Sequence, residues 1–175
     1  MANDTDGPVL SILINTYMRR RAFELGFDDA LAVAREFPDD VEIIVSDNAS
    51  TDGTIEYLEK VSADYSNVRL IRQPENFGAE ENAYRCYVAA RGEFFFWHGD
   101  DDVLYLDPVR DLIAALKCFD GDLLVAPVDG IREPEALHRY LPPGDRVGSI
   151  LDLKGEPGGL GHTIMAGCFC LGIIY

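Results

Sequence analysis

The clearest indication of this chain's fold is Gly92-Glu93-Phe94-Phe95-Phe96-Trp97-His98-Gly99-Asp100-Asp101-Asp102. Its aromatic run lies between glycines, a pattern typical of a buried strand in a parallel sheet. Three carboxylates follow. We therefore expect Asp100, Asp101 and Asp102 at the carboxyl end of that strand, where open α/β folds bind ligands. Such oxygen ligands suit Mg²⁺ or Mn²⁺ holding a phosphate, and a solvated acidic loop is the alternative interpretation.

Apolar strands alternate with helical patterns on both sides of this stretch. The predicted strands are Val9 to Ile14, Glu42 to Ser46, Val68 to Ile71, the aromatic run and Leu123 to Ala126. Helical spacing of apolar residues separates them, with Phe23, Phe27, Ala30, Leu31 and Ala34 in the first helix, Ile55, Leu58 and Val61 in the second, Ala79 to Arg91 as the third and a fourth beginning near Pro108. This order predicts an α/β three-layer sandwich, with a mainly parallel central sheet and helices on both faces.

The pattern changes after Pro127. A segment rich in proline and glycine leads to an apolar run from Ile164 to Tyr175, which is shorter than a membrane span and contains two glycines. We predict an interrupted strand there. Because the chain stops on apolar residues, we expect it to be the N-terminal part of a longer protein.

The net charge disfavours two kinds of partner. Acidic residues outnumber basic ones 31 to 15, for a formal charge of -16, which disfavours nucleic acid and anionic membrane surfaces. The first eight residues lack the basic start and apolar core of a secretory signal, so we expect a cytoplasmic protein.

Neither a GxGxxG turn nor a GxxxxGK[ST] loop is present, and a dinucleotide or P-loop site is not supported.

Polar residues follow three of the predicted strands. They are Asn15, Thr16 and Tyr17 after the first strand, Asp47 to Thr54 after the second, and the three aspartates after the aromatic run. Because carboxyl ends of parallel strands share one edge of the sheet, these groups should form one rim. Ser50, Thr51 and Asp52 are also candidate helix N-caps, and capping is the favoured role of Asp52.

These residues resemble the inverting family 2 glycosyltransferases of the GT-A fold. The motifs are Leu10-Ser11-Ile12-Leu13-Ile14-Asn15-Thr16-Tyr17, Glu42-Ile43-Ile44-Val45-Ser46-Asp47-Asn48-Ala49-Ser50-Thr51-Asp52-Gly53-Thr54, Asn76-Phe77-Gly78, and Ala90-Arg91-Gly92-Glu93 leading to the aspartates. The second motif looks closest to the branch that transfers sugars onto bacterial surface polysaccharides. By this resemblance, residues 1–127 would be the nucleotide-sugar-binding half and residues 128–175 the start of the acceptor-side half.

The resemblance implies a role for each motif. Asn15, Thr16, Tyr17, Asp47, Asn48, Asn76, Gly78 and Asp100 would bind the nucleotide. Tyr17 would pack on the base, and Asp47 would accept a base N–H. Asp100 would face the ribose or the metal, and Asp101 and Asp102 would coordinate Mg²⁺ or Mn²⁺ between the donor phosphates. Gly99 stands where the family often has the first aspartate, so which two carboxylates contact metal stays open.

The implied reaction moves a sugar from a nucleoside diphosphate donor to the hydroxyl of a saccharide or lipid-linked saccharide acceptor, with inversion. We assign no catalytic base and expect it beyond Tyr175, together with any membrane-associating part at the inner face of the membrane. A nucleotide-sugar-binding module without turnover and a sugar nucleotidyltransferase are the alternatives. Arg19, Arg20 and Arg21 could bind phosphates in the latter, although a solvated helix start explains them equally well.

Overall fold

The computed structural model describes residues 7–118, 123–127, 151–152 and 168–173 of the 175-residue chain. Two compact units divide the chain: residues 1–120 with 173–175 form one, and residues 121–172 form the other. The elements are, in chain order, β1 (Leu10–Thr16), α1 (Arg20–Glu36), β2 (Val41–Asp47), α2 (Thr54–Val61), β3 (Val68–Arg72), α3 (Ala79–Val88), β4 (Phe94–Trp97), α4 (Leu106–Leu116), β5 (Leu123–Pro127), β6 (Leu151–Asp152) and β7 (Cys168–Ile173).

The first unit contains a parallel sheet in the order β3-β2-β1-β4. All of β2 and nearly all of β1 is buried, as expected for central strands covered on both faces. In the register, Thr16 at the end of β1 lies beside Asp47 at the end of β2. The predicted strands β1 to β4 are confirmed, and their carboxyl ends meet at one edge.

Helices cover this sheet in separate layers, which confirms the predicted three-layer α/β architecture. α3 packs on β1 and β2, where Cys86 joins Leu13 and Ile44 in a buried cluster. α1 packs against α2, α4 and β2, and its predicted apolar positions are all buried. Because the apolar stripe of α1 faces the sheet, its first turn is held beside the carboxyl ends of β1 and β2.

Two features of the first unit differ from the sequence prediction. α3 ends at Val88 rather than Arg91, and its buried residues are Asn82 and Cys86, whereas Ala79 is exposed. Apolar spacing alone cannot show that a polar side chain turns inward to backbone partners. In the aromatic strand β4, only Phe94 is fully buried; Phe95, Phe96 and Trp97 are half-buried, and Phe95 and Trp97 pack on the cluster that includes Cys86 of α3.

The second unit contributes a different strand arrangement. β5 pairs with both β6 and β7 in antiparallel register. β5 confirms the strand predicted at Leu123 to Ala126, and β7 falls within the apolar run predicted to form a strand. The proline- and glycine-rich segment expected between Pro127 and Ile164 lies outside the described residues except for β6. None of the described helices is both long enough and apolar enough to cross a membrane.

A buried polar network lies at the amino ends of the parallel strands, opposite the edge where their carboxyl ends meet. Glu42 accepts hydrogen bonds from the Ser11 hydroxyl at 2.6 Å and from Arg69 at 2.9 Å. The Arg91 N–H also donates to Glu42, and the Gly92 N–H donates to Ser11 Oγ at 2.8 Å. The network therefore ties the connection between α3 and β4 to β1, β2 and β3, and so sets where β4 delivers the aspartates.

Candidate nucleotide site

A cleft of about 420 Å³ opens at the carboxyl ends of the parallel strands. The residues that line it are Asn15, Thr16, Tyr17, Arg19, Asn48, Asn76, Gly78, Ala79, Asn82 and Asp100. Seven of the residues predicted to bind nucleotide are therefore together on one surface: Asn15, Thr16, Tyr17, Asn48, Asn76, Gly78 and Asp100. Asp47, Asp101 and Asp102 do not line it. Tyr17 is 48% exposed, so its ring is available to a ligand.

Thr16 and Asp100 connect the ends of β1 and β4. The Thr16 hydroxyl donates to Asp100 Oδ2 at 2.7 Å, and the Thr16 carbonyl accepts the Asn48 N–H at 2.9 Å. Burial raises the pKa of Asp100 above its ordinary value, although the Thr16 hydrogen bond and nearby Arg19 act to lower it. Thr16 therefore fixes a half-buried carboxylate in the wall of the cleft.

Asn48 holds the Asn76-Phe77-Gly78 loop, which forms one wall of the cleft. Its amide donates to Asn76 Oδ1 at 2.8 Å and to the Gly78 carbonyl at 3.2 Å, and it accepts the Phe77 N–H at 3.0 Å. Gly78 has φ 85° and ψ 166°, a backbone region that is almost restricted to glycine. Both groups of the buried Asn48 amide are thus engaged in holding the Asn76-Phe77-Gly78 loop beside β1.

Asp47 is fully buried at the end of β2. Its Oδ2 accepts the Ser50 N–H at 3.0 Å. Within the part of the chain that the structure describes, Oδ1 has no hydrogen-bond partner. A buried acceptor without a donor is unfavourable, so this oxygen would gain from an incoming N–H.

The two loops after β1 and β2 hold each other. Met18 and Ala49 both have positive φ, at 57° and 61°, a conformation that is uncommon outside glycine. The Met18 N–H donates to Ser50 Oγ at 2.7 Å, and the Arg20 N–H donates to Asp52 Oδ2 at 3.1 Å. The second loop therefore caps the start of α1, and the strained backbone is held by specific partners.

Asp52 supports a helix start, as predicted, but from the residue before the N-cap. Its Oδ1 accepts the Thr54 N–H at 3.1 Å at the start of α2, although Gly53, rather than one of the three predicted residues, occupies the N-cap position. Burial acts to raise the pKa of Asp52, but the hydrogen bonds from Thr54 and the Arg20 N–H outweigh it and the pKa lies below its ordinary value.

The acidic motif supplies carboxylates of the kind that bind Mg²⁺ or Mn²⁺. Asp101 and Asp102 are exposed, and Asp102 Oδ2 accepts the Gly99 N–H at 3.2 Å. The described residues contain no group of three or more His, Cys, Asp or Glu side chains placed to hold one ion. Mg²⁺ usually takes one or two protein carboxylates together with substrate phosphates and water, so the donor set fits such an ion.

Three residues of the cleft, Arg19, Ala79 and Asn82, are not among those predicted to bind the nucleotide. Asn82 is buried in α3, where it accepts the Ser46 hydroxyl at 2.7 Å and donates to the Ser46 carbonyl at 2.9 Å. Its polar character within a helix that packs on the sheet was the available signal. Arg19 lines the cleft with its Nε 3.8 Å from Asp100 Oδ2.

His98, beside the acidic motif, is buried and its ring lies 6.1 Å from that of Phe96. Burial lowers the pKa of His98, although Asp102 and Asp101 act to raise it. The His98 imidazole is therefore packed beside the acidic motif and does not line the cleft.

Known proteins share this architecture. An abequosyltransferase of Salmonella typhimurium is 30% identical over 112 residues, which is 63% of this chain and 32% of that protein. TarS of S. aureus in complex with UDP-GlcNAc superposes with a TM-score of 0.62 at 21% identity, over 70% of this chain and 35% of that one. A mannosyltransferase of Pyrobaculum calidifontis in complex with GDP-Man and Mn²⁺ superposes with a TM-score of 0.58 at 24% identity, over 71% of this chain and 36% of that one.

At these identities the solved structures establish the fold alone. The chain spans about a third of the length of the Salmonella relative. The model of the family described as "Glycosyl transferase family 2" matches residues 11–164, which include every residue of the cleft. This chain therefore belongs to glycosyl transferase family 2.

Proposed function

We propose that the cleft binds a nucleoside diphosphate sugar and that the chain is the donor-binding part of an inverting glycosyltransferase. The observation that carries the proposal is the convergence of the loops after β1, β2, β3 and β4 on one cleft, with Asp100 in its wall. UDP-GlcNAc and GDP-Man in the related folds are donors of this class. A role in surface polysaccharide synthesis, with a saccharide or lipid-linked acceptor, rests on the resemblance of the second motif.

The nucleobase of the donor would lie between Tyr17 and Asp47. Tyr17 is exposed enough to pack on a base, and the unpaired Oδ1 of Asp47 is an acceptor for its N–H. The Ser50 N–H holds the other oxygen of Asp47 and so orients the carboxylate. Because Asp47 does not line the cleft, a small movement of the Tyr17 or Asn48 loop has to admit the base.

The diphosphate would lie toward the acidic motif. Asp100 and one or both of Asp101 and Asp102 would hold a divalent cation, which supplies charge neutralisation for the departing nucleoside diphosphate. The Thr16 hydroxyl orients Asp100 for this contact. No catalytic base is assigned among the described residues, and residues 128–175 are proposed to begin the acceptor side.

Titration calorimetry tests the donor site. UDP, GDP, dTDP and CDP are titrated into the chain with and without Mn²⁺, and into Asp101→Ala, Asp102→Ala and the control Asp107→Ala. The control removes an exposed carboxylate that pairs with Arg110 at 2.6 Å outside the cleft. We expect one nucleotide to bind, Mn²⁺ to strengthen its binding, and at least one of the two motif variants to lose that gain while the control keeps it.

Failure of every nucleotide to bind would refute the donor-site proposal. Equal metal-dependent binding by all three variants would refute the metal assignment. Release of nucleoside diphosphate from the matching sugar donor, measured with and without saccharide acceptors, then separates a transferase from a binding module.

A further inference from the structure

The cleft carries a single pair of opposite charges. Among the described residues that line it, Arg19 is the one cation and Asp100 the one anion. Arg19 Nε lies 3.8 Å from Asp100 Oδ2, which also accepts the Thr16 hydroxyl. The side chain of Arg19 is 53% exposed, against 13% for Asp100. The carboxylate is therefore the more buried and better-held member of the pair, and the guanidinium is the more exposed one.

The adjacent arginines are arranged differently. Arg20 Nε lies 3.0 Å from Glu24, and Arg21 Nη1 lies 3.5 Å from the same carboxylate, so both pair within α1. Arg19 differs because its side chain reaches the cleft. Its backbone N–H donates to Thr54 Oγ1 at 3.3 Å, which fixes the point from which the side chain swings.

The charges of a bound diphosphate require a change in this pair. A diphosphate placed beside Asp100 would be repelled by that carboxylate unless a cation lies between them. A divalent cation on Asp100 would in turn repel the guanidinium 3.8 Å away. A half-exposed ion pair contributes little to stability, so breaking it is easy, whereas a guanidinium binds phosphate in a stronger, bidentate geometry.

We propose that Arg19 pairs with Asp100 until a divalent cation takes that carboxylate, and then exchanges Asp100 for a phosphate of the donor. The inference rests on the proposed function of the cleft. It makes Arg19 a binding residue for the diphosphate and a competitor of the metal. The two roles predict opposite effects on affinity. Removal of the Arg19 guanidinium should weaken diphosphate binding and strengthen metal binding.

The diphosphate role is tested by calorimetry of UDP, uridine, GDP and guanosine in the presence of Mn²⁺. We expect Arg19→Gln to lower the affinity for the preferred diphosphate about tenfold, as for loss of a charge-assisted hydrogen bond, and to leave the affinity for the matching nucleoside unchanged. Arg21→Gln is the matched control, because it makes the same charge change on an arginine that does not line the cleft. Arg19→Lys should recover part of the lost diphosphate affinity, since it retains the charge without the planar fork.

The competitor role is tested by electron paramagnetic resonance titration of Mn²⁺ alone. Arg19→Gln should bind Mn²⁺ more tightly than the parent, and Arg21→Gln should match the parent. Equal diphosphate affinity in Arg19→Gln and the parent would overturn the phosphate contact, as would a parallel loss of nucleoside affinity. Unchanged or weaker Mn²⁺ binding in Arg19→Gln would overturn the exchange. If the parent binds no nucleoside diphosphate at all, the proposed function itself fails, which is a distinct result.

Discussion

Gly92→Ala should lower the free energy of unfolding. Gly92 lies just before β4, at the edge of the sheet opposite the cleft. A Cβ at Gly92 would lie 2.6 Å from Ser11 N, 2.7 Å from Ser11 Oγ and 2.9 Å from Leu10 C. Two of these atoms belong to the backbone of β1, a central strand that is hydrogen-bonded on both sides. Restoring the shortest contact to 3.4 Å requires a displacement of about 0.8 Å, taken as the difference between the two distances.

That displacement has a further cost. It would stretch the bond of 2.8 Å from the Gly92 N–H to Ser11 Oγ to about 3.6 Å, which is beyond hydrogen bonding. Overpacking costs about 1–3 kcal/mol, and a buried N–H without a partner costs about 1–3 kcal/mol more. We take about 3 kcal/mol as the total loss in free energy of unfolding, which lowers Tm by about 6–12 °C for a chain of this size.

Thermal unfolding followed by circular dichroism, together with urea titration, measures this loss. Gly26→Ala is the matched control: it lies inside α1, and the nearest atom to its added Cβ is the Asp102 carbonyl oxygen at 3.8 Å, an ordinary contact. Because alanine favours a helix interior over glycine by about 1 kcal/mol, this control should raise Tm slightly. A Gly92→Ala variant that unfolds within 2 °C of the parent would refute the reasoning, as would equal losses in both variants.

Three further predictions concern the cleft and its supports. Asp47→Asn replaces an unpaired acceptor with a donor, so nucleotide affinity should fall by about 1.5–3 kcal/mol in calorimetry without loss of Tm; unchanged affinity would show that Asp47 is structural. Asn82→Ala leaves the Ser46 carbonyl short of a buried donor and should lower the free energy of unfolding in urea by about 1–3 kcal/mol; an unchanged midpoint would contradict this. The pKa of Asp52 is lowered on folding, so its contribution to stability is present above its ordinary value of 3.8 and is lost as pH falls through the lower folded pKa. The stability gap between the parent and Asp52→Asn should therefore narrow in acid, and a gap that is constant from pH 7 to pH 2 would count against the contacts of Asp52.

The sequence predicted the parallel sheet well because its strands are short apolar runs separated by helical spacing. It also predicted which edge holds the polar groups, since the carboxyl ends of parallel strands share one edge. Asn15, Thr16, Tyr17 and Asp100 line the cleft for this reason.

Which residues of α3 face the sheet could not be predicted in the same way. Asn82 is buried because Ser46 offers both a hydroxyl donor and a carbonyl acceptor, and that pairing spans 36 positions of the chain. The role of Arg19 was left open for a similar reason, because three consecutive arginines look alike until the fold places Glu24 beside two of them and Asp100 beside the third. Side-chain partners distant in sequence decide such cases.

The most direct test of the central claim is the location of the nucleotide on the chain. Amide resonances of isotope-labelled protein are followed by NMR while the preferred nucleoside diphosphate is added with Mg²⁺. We predict that the largest shifts occur at Thr16, Asn48, Gly78 and Asp100, the residues around the cleft. Shifts centred instead on Ser11 and Gly92, at the opposite edge of the sheet, or no shifts at saturating nucleotide, would contradict it.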